Sequence, residues 1–197
     1  MRRWILATAL LTALGWLSPA RATQYQVDPD HTNVGFQVRH LFSRVNGRFD
    51  KFDGTITYDP AHPEQAKVSG TIDASSINTN NEKRDTHLRS KDFFDAATFP
   101  QITFTSTSAT QLDAAKHSGK MDGKLTIHGV EKPVVLDVAF LGAGKDSHGT
   151  ERAGFSATTT INRRDFGLTW NSPMEAGGVL VGDEITINLD IEGKSVN

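Results

Sequence analysis

Apolar and polar residues alternate along most of this chain. This two-residue period favours extended strands over helices. Val34, Phe36 and Val38 fall on one side of an extended segment, and the residues between them fall on the other. Such alternation is typical of a strand with one buried face. Seven further segments repeat it, with apolar positions at Ile56 and Tyr58, Val68 and Ile72, Ile102 and Phe104, Met121 to Ile127, Val134 to Phe140, Phe155 to Ile161, and Ile185 to Ile191. The pattern predicts an all-β domain of about eight strands.

One-faced strands with short connections bury that face between two stacked sheets or inside a closed barrel. Glycines stand within the strand pattern at Gly54, Gly70, Gly123 and Gly154, where a strongly coiled strand needs room to bend. The last segment, residues 184–192, is regular enough to pair with an early strand. These features favour an eight-stranded antiparallel barrel, whose interior holds side chains or one small ligand. The alternation alone also fits a sandwich.

Turn residues separate the predicted strands. They are Asp59-Pro60, His128-Gly129, Gly142 to Gly144, and Gly177-Gly178. Proline and glycine in such pairs favour tight turns over continued strands. We therefore expect short connections at all four places.

One long insert, residues 84–106, interrupts the strand pattern. Thr79 and Glu82 have the spacing of a capping box, which predicts a helix that begins near Asn80. The side chains that follow are Arg84, His87 and Leu88 on one helix face, then Phe93, Phe94 and Phe99 before Pro100. If the strands form a barrel, we expect this short helical insert to cover or plug one end.

The N-terminal segment has the composition of an export signal. Two arginines precede an uncharged apolar run over residues 4–17, and Ala20 and Ala22 supply the small residues of a signal peptidase site. The run is shorter than the roughly 20 apolar residues that span a membrane. We expect residues 1–22 to be a cleaved signal peptide and residues 23–197 to be one periplasmic or secreted domain.

Charge and composition exclude several classes of function. Cleavage removes three arginines and changes the formal charge from -2 to -5. Nucleic acid and anionic membranes bind basic surfaces, so we expect neither as a partner and no stable membrane insertion after cleavage. The chain has no cysteine, no Gly-x-Ser-x-Gly and no His-Glu-x-x-His pattern. We expect a binding protein and assign no catalytic residue.

Four segments together form a specific pattern. They are Asp28 to His31 with Val34 to His40, Arg84 to Leu88 with Phe93-Phe94 and Phe99-Pro100, Gly123 to Pro133, and Arg164 to Leu168. In order and spacing this pattern resembles the YceI family of exported polyisoprenoid-binding proteins. The resemblance implies a lipocalin-like antiparallel barrel whose elongated apolar cavity holds a long isoprenoid chain outside the cytoplasm. Thr32 and Glu131, where the family often has Ser and Thr, fall at turn positions.

A protein that carries an isoprenoid needs a long apolar slot. Each five-carbon unit removed from water gains on the order of 3 kcal/mol before ordering costs. The inward candidates for ligand contact are Phe36, Val38, Phe93, Phe94, Phe104, Leu125, Ile127, Leu136, Phe140, Phe155 and Phe166. Each of them also fits a role as ordinary core packing, and the sequence leaves this choice open.

Arg84, His87 and Arg164 are the polar candidates for contact with a ligand head group. A phosphate is favoured by a cation and by free N–H groups at a helix start. In the alternative interpretation, Arg84 and Asp85 pair with Asp165 and Arg164 and hold the insert against the barrel. The sequence is compatible with both.

The remaining expectations concern metals and partners. His31, His40, His87 and His128 occupy motif positions, but no two are spaced as metal ligands on one element, so we assign no metal and no cofactor apart from a bound isoprenoid lipid or quinone. The sequence predicts a carrier or sequestering protein for a quinone-like lipid or a polyprenyl phosphate. The alternative is an enzyme or stress-response factor that acts on a small amphiphile. The chain is expected to be a monomer, or a homodimer if a strand edge stays exposed.

Overall fold

Eleven β-strand segments and one α-helix account for the regular structure in the computed structural model, which describes residues 22–172 and 180–196. The strands are β1 (Thr23–Val27), β2 (Asn33–His40), β3 (Ser43–Phe49), β4 (Phe52–Tyr58), β5 (Lys67–Asp73), β6 (Ile77–Asn78), β7 (Gln101–Asp113), β8 (Ser118–Ile127), β9 (Val130–Lys145), β10 (Glu151–Asn162) and β11 (Val181–Ser195). The helix α1 is Glu82–Arg89, and single 3-10 turns lie at Pro29–His31, Pro63–Gln65, Ala74–Ser76 and Arg163–Phe166. The leader predicted before Ala22 and the predicted Gly177-Gly178 turn lie outside the described residues.

The strands form one antiparallel sheet that closes on itself. β1 and β2 follow one another along β11, and β3 with β4 and β5 with β6 are similar interrupted strands. With each interrupted pair taken as one strand, the barrel has eight strands in meander order. Pairing of Tyr25 with Ser195 and of Val27 with Gly193 joins β1 to β11 and completes the ladder. The predicted barrel is confirmed, and the sandwich alternative is wrong.

Two of the predicted turns are confirmed and one is wrong. The Asp59-Pro60 turn follows β4, and His128-Gly129 joins β8 to β9 with positive φ at both residues, as a two-residue hairpin turn requires. Gly142 to Gly144 instead lies within β9. A β-bulge there places Leu141 between two successive pairs of the ladder, so the glycines bend a continuous strand.

The insert begins with a helix, but its cap differs from the prediction. Asn81 is the N-cap, and its side chain accepts a hydrogen bond from the Arg84 N–H at 3.0 Å. The predicted capping box fails because Thr79 has other partners. Its backbone N–H and its hydroxyl both donate to the buried Asp85 carboxylate. The Asp85 carboxylate of α1 therefore holds the turn before the helix in place. The helix itself starts at Glu82.

Buried apolar residues of the barrel interior are most numerous at the end covered by the insert. The largest buried cluster lies there and comprises Phe49, Ala74, Ile77, Ala96, Ile102, Leu125, Ile127, Phe166 and Leu168. Two smaller clusters, around Ile56 and around Met121, lie along the rest of the barrel. Between residues 22 and 172, and from 180 to 196, no helix has the length and apolar character needed to cross a bilayer.

Candidate functional site

An internal cavity of about 520 Å³ lies within the barrel. Its size falls in the range of roughly 300–1,000 Å³ that is typical of small-molecule sites. It extends from Pro60 and Leu112 at one end to Leu88 and Phe94 at the other. Its wall includes Ile185 to Ile191 of β11, a stretch of roughly 20 Å at about 3.4 Å per residue. The interior is therefore hollow and elongated.

All the apolar candidates from the sequence come together in this cavity wall. Phe36, Val38, Phe93, Phe94, Phe104, Leu125, Ile127, Leu136, Phe140, Phe155 and Phe166 line it. They come from five strands, β2 and β7 to β10, from the insert and from the turn after β10, so only the closed barrel places them side by side. Their contact with a ligand stays a prediction.

Sequence reasoning missed further lining residues. Ile56, Tyr58, Val68 and Met121 also line the cavity. Their signal was present, because each continues the apolar face of a strand already identified from its alternation.

Two facing glycines form part of the cavity wall. Gly54 and Gly70 are directly paired between β4 and β5, and both line the cavity. A Cβ at Gly70 would meet nothing nearer than the Asp53 carbonyl oxygen at 3.7 Å. Neither residue of this pair contributes a side chain to the wall. A side chain at position 70 would fit without a clash.

The three polar candidates lie outside the cavity wall. The Arg84 guanidinium donates to the Thr79 hydroxyl at 2.7 Å and to the Thr79 carbonyl at 2.8 Å. His87 Nε2 lies 2.8 Å from Asp92 Oδ2. Arg164 Nε lies 2.8 Å from Asp183 Oδ1. The predicted pairing of Arg84 and Asp85 with Asp165 and Arg164 is wrong, because Thr79 is the partner of Arg84 and Asp85 and Asp183 is the partner of Arg164. A head-group role for Arg84, His87 and Arg164 stays a prediction.

A neighbouring arginine that the sequence did not single out does line the cavity. Arg163 is buried, and burial lowers the pKa of its guanidinium. It donates to the carbonyls of Gly182, Leu168 and Trp170 at 2.9, 2.6 and 2.8 Å, and to Asp183 at 3.1 Å. No sequence pattern distinguishes Arg163 from Arg164, since the 3-10 turn after β10 decides which one points inward.

Aromatic side chains of the insert close one end of the cavity. His87 lies edge-on to Phe93 and to Trp170, with ring centroids 5.1 and 4.8 Å apart. Phe94 packs against Phe49 at 5.8 Å. Phe93 and Phe166 are 7% and 2% exposed, so this end is shut off from solvent by the described residues. The insert plugs one end of the barrel, as the sequence predicted.

A cluster of ligating atoms lies at the seam between β1 and β11. Oxygen and nitrogen atoms of Asp28, His31 and Glu192 lie within 4.8 Å of one another. Arg152 Nη1 is 2.7 Å from Asp28 and 2.6 Å from Glu192, and Lys194 Nζ is 2.9 Å from Asp28. These cations already balance the carboxylates, so we describe the cluster as an ion-pair network.

Comparison with known proteins identifies the family. The sequence model of the family described as the YceI-like domain matches residues 25–193 of this chain. The chain belongs to the YceI family. A UPF0312 protein of Pseudomonas putida (strain W619) is 40% identical over 196 residues, which cover 98% of this chain and 97% of that protein.

Solved YceI structures share the fold. The Campylobacter jejuni YCEI protein is 32% identical, covers all of both chains and superposes with a TM-score of 0.69. A polyisoprenoid binding domain from Saccharophagus degradans has a TM-score of 0.60 over 87% of this chain and 98% of that domain. It is 19% identical, so it supports the fold alone.

Proposed function

We propose that this protein is a periplasmic carrier or sequestering protein that binds a long-chain isoprenoid lipid in its barrel. The observation that carries the proposal is the elongated cavity with an almost wholly apolar wall, closed at one end by Phe93 and Phe166. The Saccharophagus degradans domain that shares this fold is described as a polyisoprenoid binding domain, and the proposal extends that ligand class to this barrel.

The energetics favour a branched apolar tail as the occupant. Each isoprene unit transferred from water to an apolar site gains on the order of 3 kcal/mol before ordering costs. The wall offers aromatic and branched side chains along its whole length, including Phe104, Leu125 and Leu189. Because hydrophobic burial is non-directional, affinity depends mainly on how much tail fits the slot.

The remaining parts of the proposal follow from the sequence. The predicted leader supports export to the periplasm, and binding without turnover agrees with the missing catalytic motifs. Antiparallel closure between β1 and β11 covers the edge that would promote strand pairing between chains, which favours a monomeric carrier.

The direct test is to identify what the protein carries. We expect organic extraction of protein purified from its own host, followed by mass spectrometry, to release an isoprenoid lipid. Gly70→Leu places a side chain in the cavity and is expected to abolish retention. Gly144→Leu is the matched control, because a Cβ there meets no atom within 4 Å and Gly144 lies outside this cavity wall.

Two outcomes would contradict the proposal. One is native protein that releases no lipid although it is correctly folded. The other is equal lipid retention by Gly70→Leu and Gly144→Leu, which would place the lipid elsewhere. Chemical conversion of an added prenyl compound by the pure protein would instead support the enzyme alternative.

A further inference from the structure

The turn between β2 and β3 exposes apolar side chains. Pairing of His40 with Ser43 leaves Leu41 and Phe42 as a two-residue turn, and Phe42 is 94% exposed. The Leu41 N–H donates to the Leu180 carbonyl at 3.0 Å, which holds the turn against the start of β11. The Phe42 side chain therefore projects into solvent from a fixed turn. We call residues 39–44 the hairpin tip.

The residue types in this turn are unusual for its backbone. Leu41 has φ of 51°, in the left-handed region. Two-residue hairpin turns with a positive φ favour glycine, asparagine or aspartate, and this turn contains none of them. Backbone strain of this kind persists mainly at functional positions. Leucine followed by an exposed phenylalanine therefore points to a contact made by the side chains of the turn.

Two arginines flank the apolar turn. Arg39 and Arg44 are directly paired between β2 and β3, and both are exposed. Like charges that face each other across a strand pair are destabilising. The Arg39 Nε donates to the Leu41 carbonyl at 3.1 Å, and among the described residues no carboxylate forms an ion pair with Arg39 or Arg44. A partner with negative charge would relieve this repulsion.

The charge around the hairpin tip differs from that of the whole chain. Residues 33–49 contain three arginines and no aspartate or glutamate. On the neighbouring strand, Asp183 already binds Arg163 at 3.1 Å and Arg164 at 2.8 Å, which leaves Glu184 as the exposed carboxylate there. Charges farther away than about 8 Å are largely screened at physiological ionic strength. The acidic total, from which the sequence predicted no anionic membrane as a partner, therefore does not describe this end.

The small size of the hairpin tip favours a lipid surface over a protein as its partner. A specific protein interface buries roughly 800 Å² on each side, which is far more than a two-residue turn supplies. A lipid interface needs only apolar side chains at the boundary between head groups and acyl chains, with cations beside them. Phe42 between two arginines has this arrangement.

We propose that the hairpin tip docks this protein on an anionic membrane surface. Leu41 and Phe42 enter the interface, while Arg39 and Arg44 bind lipid phosphates. The contact is peripheral and requires no segment that spans the bilayer. It goes beyond the proposed function, because it needs no ligand in the cavity.

The hairpin tip lies at the end of the barrel that the insert plugs. A Cβ at Gly182 would lie 3.2 Å from the Arg39 Cβ, so Gly182 adjoins the tip. Arg163 donates to the carbonyls of Gly182 and Trp170, and the Trp170 ring packs against His87 of α1. Docking through the tip therefore turns the plugged end toward the bilayer.

The test uses vesicles that contain no isoprenoid, so that it is independent of the proposed function. Mature protein is mixed at low ionic strength with vesicles of phosphatidylglycerol and phosphatidylethanolamine, or of phosphatidylcholine alone, and sedimented. We expect binding to the anionic vesicles only, and weaker binding as salt is added, because salt screens the arginines.

Two variants connect the binding to the hairpin tip. Phe42→Ser is expected to weaken binding to the anionic vesicles at least about tenfold, through the loss of one buried aromatic side chain. Arg39→Gln combined with Arg44→Gln should weaken it about 25-fold, from about fivefold for each cation near the surface. Arg44→Gln alone should raise Tm slightly, because it relieves the repulsion, so unfolding would not explain weaker binding.

Matched controls lie outside the hairpin tip. Leu141→Ser removes another exposed apolar side chain, which is 64% exposed on β9. Lys67→Gln combined with Lys145→Gln removes two exposed cations on β5 and β9. Both controls should bind the anionic vesicles as the parent does.

A labelled cysteine reports insertion of the tip directly. The chain has no cysteine of its own, so Phe42→Cys carrying an environment-sensitive fluorophore reports on this position alone. Its emission should shift to shorter wavelength with anionic vesicles. The same label on Leu141→Cys should show no shift.

Three results would overturn membrane docking. They are a parent protein that does not bind anionic vesicles at low ionic strength, equal binding to phosphatidylcholine, and binding that survives both the Phe42→Ser and the double-arginine changes. The first would leave an acidic protein as the partner to seek. Protein that carries no isoprenoid but binds the vesicles through the tip would contradict the proposed function and support this inference.

Discussion

Asp28 is a buried carboxylate within a network of ion pairs. It is 2% exposed and accepts from Arg152 and Lys194 at 2.7 and 2.9 Å. Although burial raises the pKa of this carboxyl, the hydrogen bonds from Lys194, His31 and Arg152 outweigh it and hold the pKa well below its usual range. The charge at position 28 thus ties β1 to the neighbouring strands β10 and β11.

Replacing this carboxylate should weaken the whole barrel. We expect Asp28→Asn to lower the free energy of unfolding by about 2 kcal/mol, because the buried position then lacks the negative charge that accepts the hydrogen bonds from Arg152 and Lys194. Urea denaturation followed by circular dichroism measures it. Asp50→Asn is the control, since Asp50 is 44% exposed and pairs with Arg48 at the surface, where such a pair contributes at most about 1 kcal/mol. Equal losses in both variants would contradict the special role of Asp28.

The same network predicts how stability responds to acid. The Arg152 hydrogen bond lowers the pKa of Asp146 to about 2, and that of Asp28 is lowered as well. A carboxylate with a lowered folded pKa contributes its full stability above the unfolded pKa of about 3.9, and loses it as pH falls through the folded value. We expect the parent protein to lose stability between about pH 4 and pH 2, and Asp28→Asn to lose less over that interval.

Urea midpoints across this pH range provide the measurement. Asp30→Asn, which removes an exposed carboxylate two residues away, serves as the control and should keep the full acid loss of the parent. A parallel decline of the parent and Asp28→Asn curves would show that other groups dominate.

Among the elements, the β8–β9 hairpin has the most demanding turn. Gly129 has φ of 73°, and a Cβ there would lie 2.6 Å from the Phe99 ring. We expect Gly129→Ala to cost about 2–3 kcal/mol, from left-handed backbone strain and this clash together. Gly149→Ala is matched in φ, at 82°, but meets no atom within 4 Å and should cost only about 1 kcal/mol. Thermal unfolding of both variants checks the difference, and equal costs would exclude the Phe99 contact.

Strands were predictable where alternation was uninterrupted, and were missed where it was broken. The strands β2, β4, β5 and β7 to β11 follow from their apolar face, but β1, β3 and β6 did not. In β3 the inward position is Gly47, because the Phe36 ring occupies the space where a Cβ would lie, 2.3 Å from Cζ. The Phe36 side chain of β2 fills the space that an apolar residue of β3 would otherwise occupy. The local sequence of β3 gives no sign of this, because the contact comes from another strand.

The insert shows the same limit. Its end-plugging position followed from its length and its phenylalanines, whereas its cap and the partners of Arg84 did not. Thr79 binds Asp85 and Arg84 because the chain folds back before α1, and a residue with several available hydrogen-bonding groups does not reveal its partner in advance.

At the scale of the whole molecule, the sequence predicted a barrel but left open whether its interior was filled. Hollowness depends on how inward volumes add across strands distant in sequence, and Gly54 opposite Gly70 is such a pairing. The register of closed strands therefore decides between core and cavity. The eleven apolar candidates were correctly grouped on the interior, and their role toward a ligand stays a prediction.

Loading the cavity should stabilise the entire fold. A ligand that binds only the folded state, at a free concentration 100 times its dissociation constant, adds about 2.7 kcal/mol. For a domain of this size we expect Tm to rise by about 5–10 °C when geranylgeraniol is added to delipidated protein. Calorimetry measures the shift, and Gly70→Leu should show none. An unchanged Tm for the parent at saturating ligand would contradict folded-state binding.

Closure of the ladder brings the first and last strands together. Thr23 starts β1, Ser195 ends β11, and the Val196 N–H donates to the Gln24 carbonyl at 3.0 Å. A short peptide could therefore join these positions while the chain is reopened at the exposed turn near His148, between β9 and β10. Every interstrand pair would survive such a circular permutation, because each of the eight strands is paired on both edges and the order of the strands around the barrel would not change.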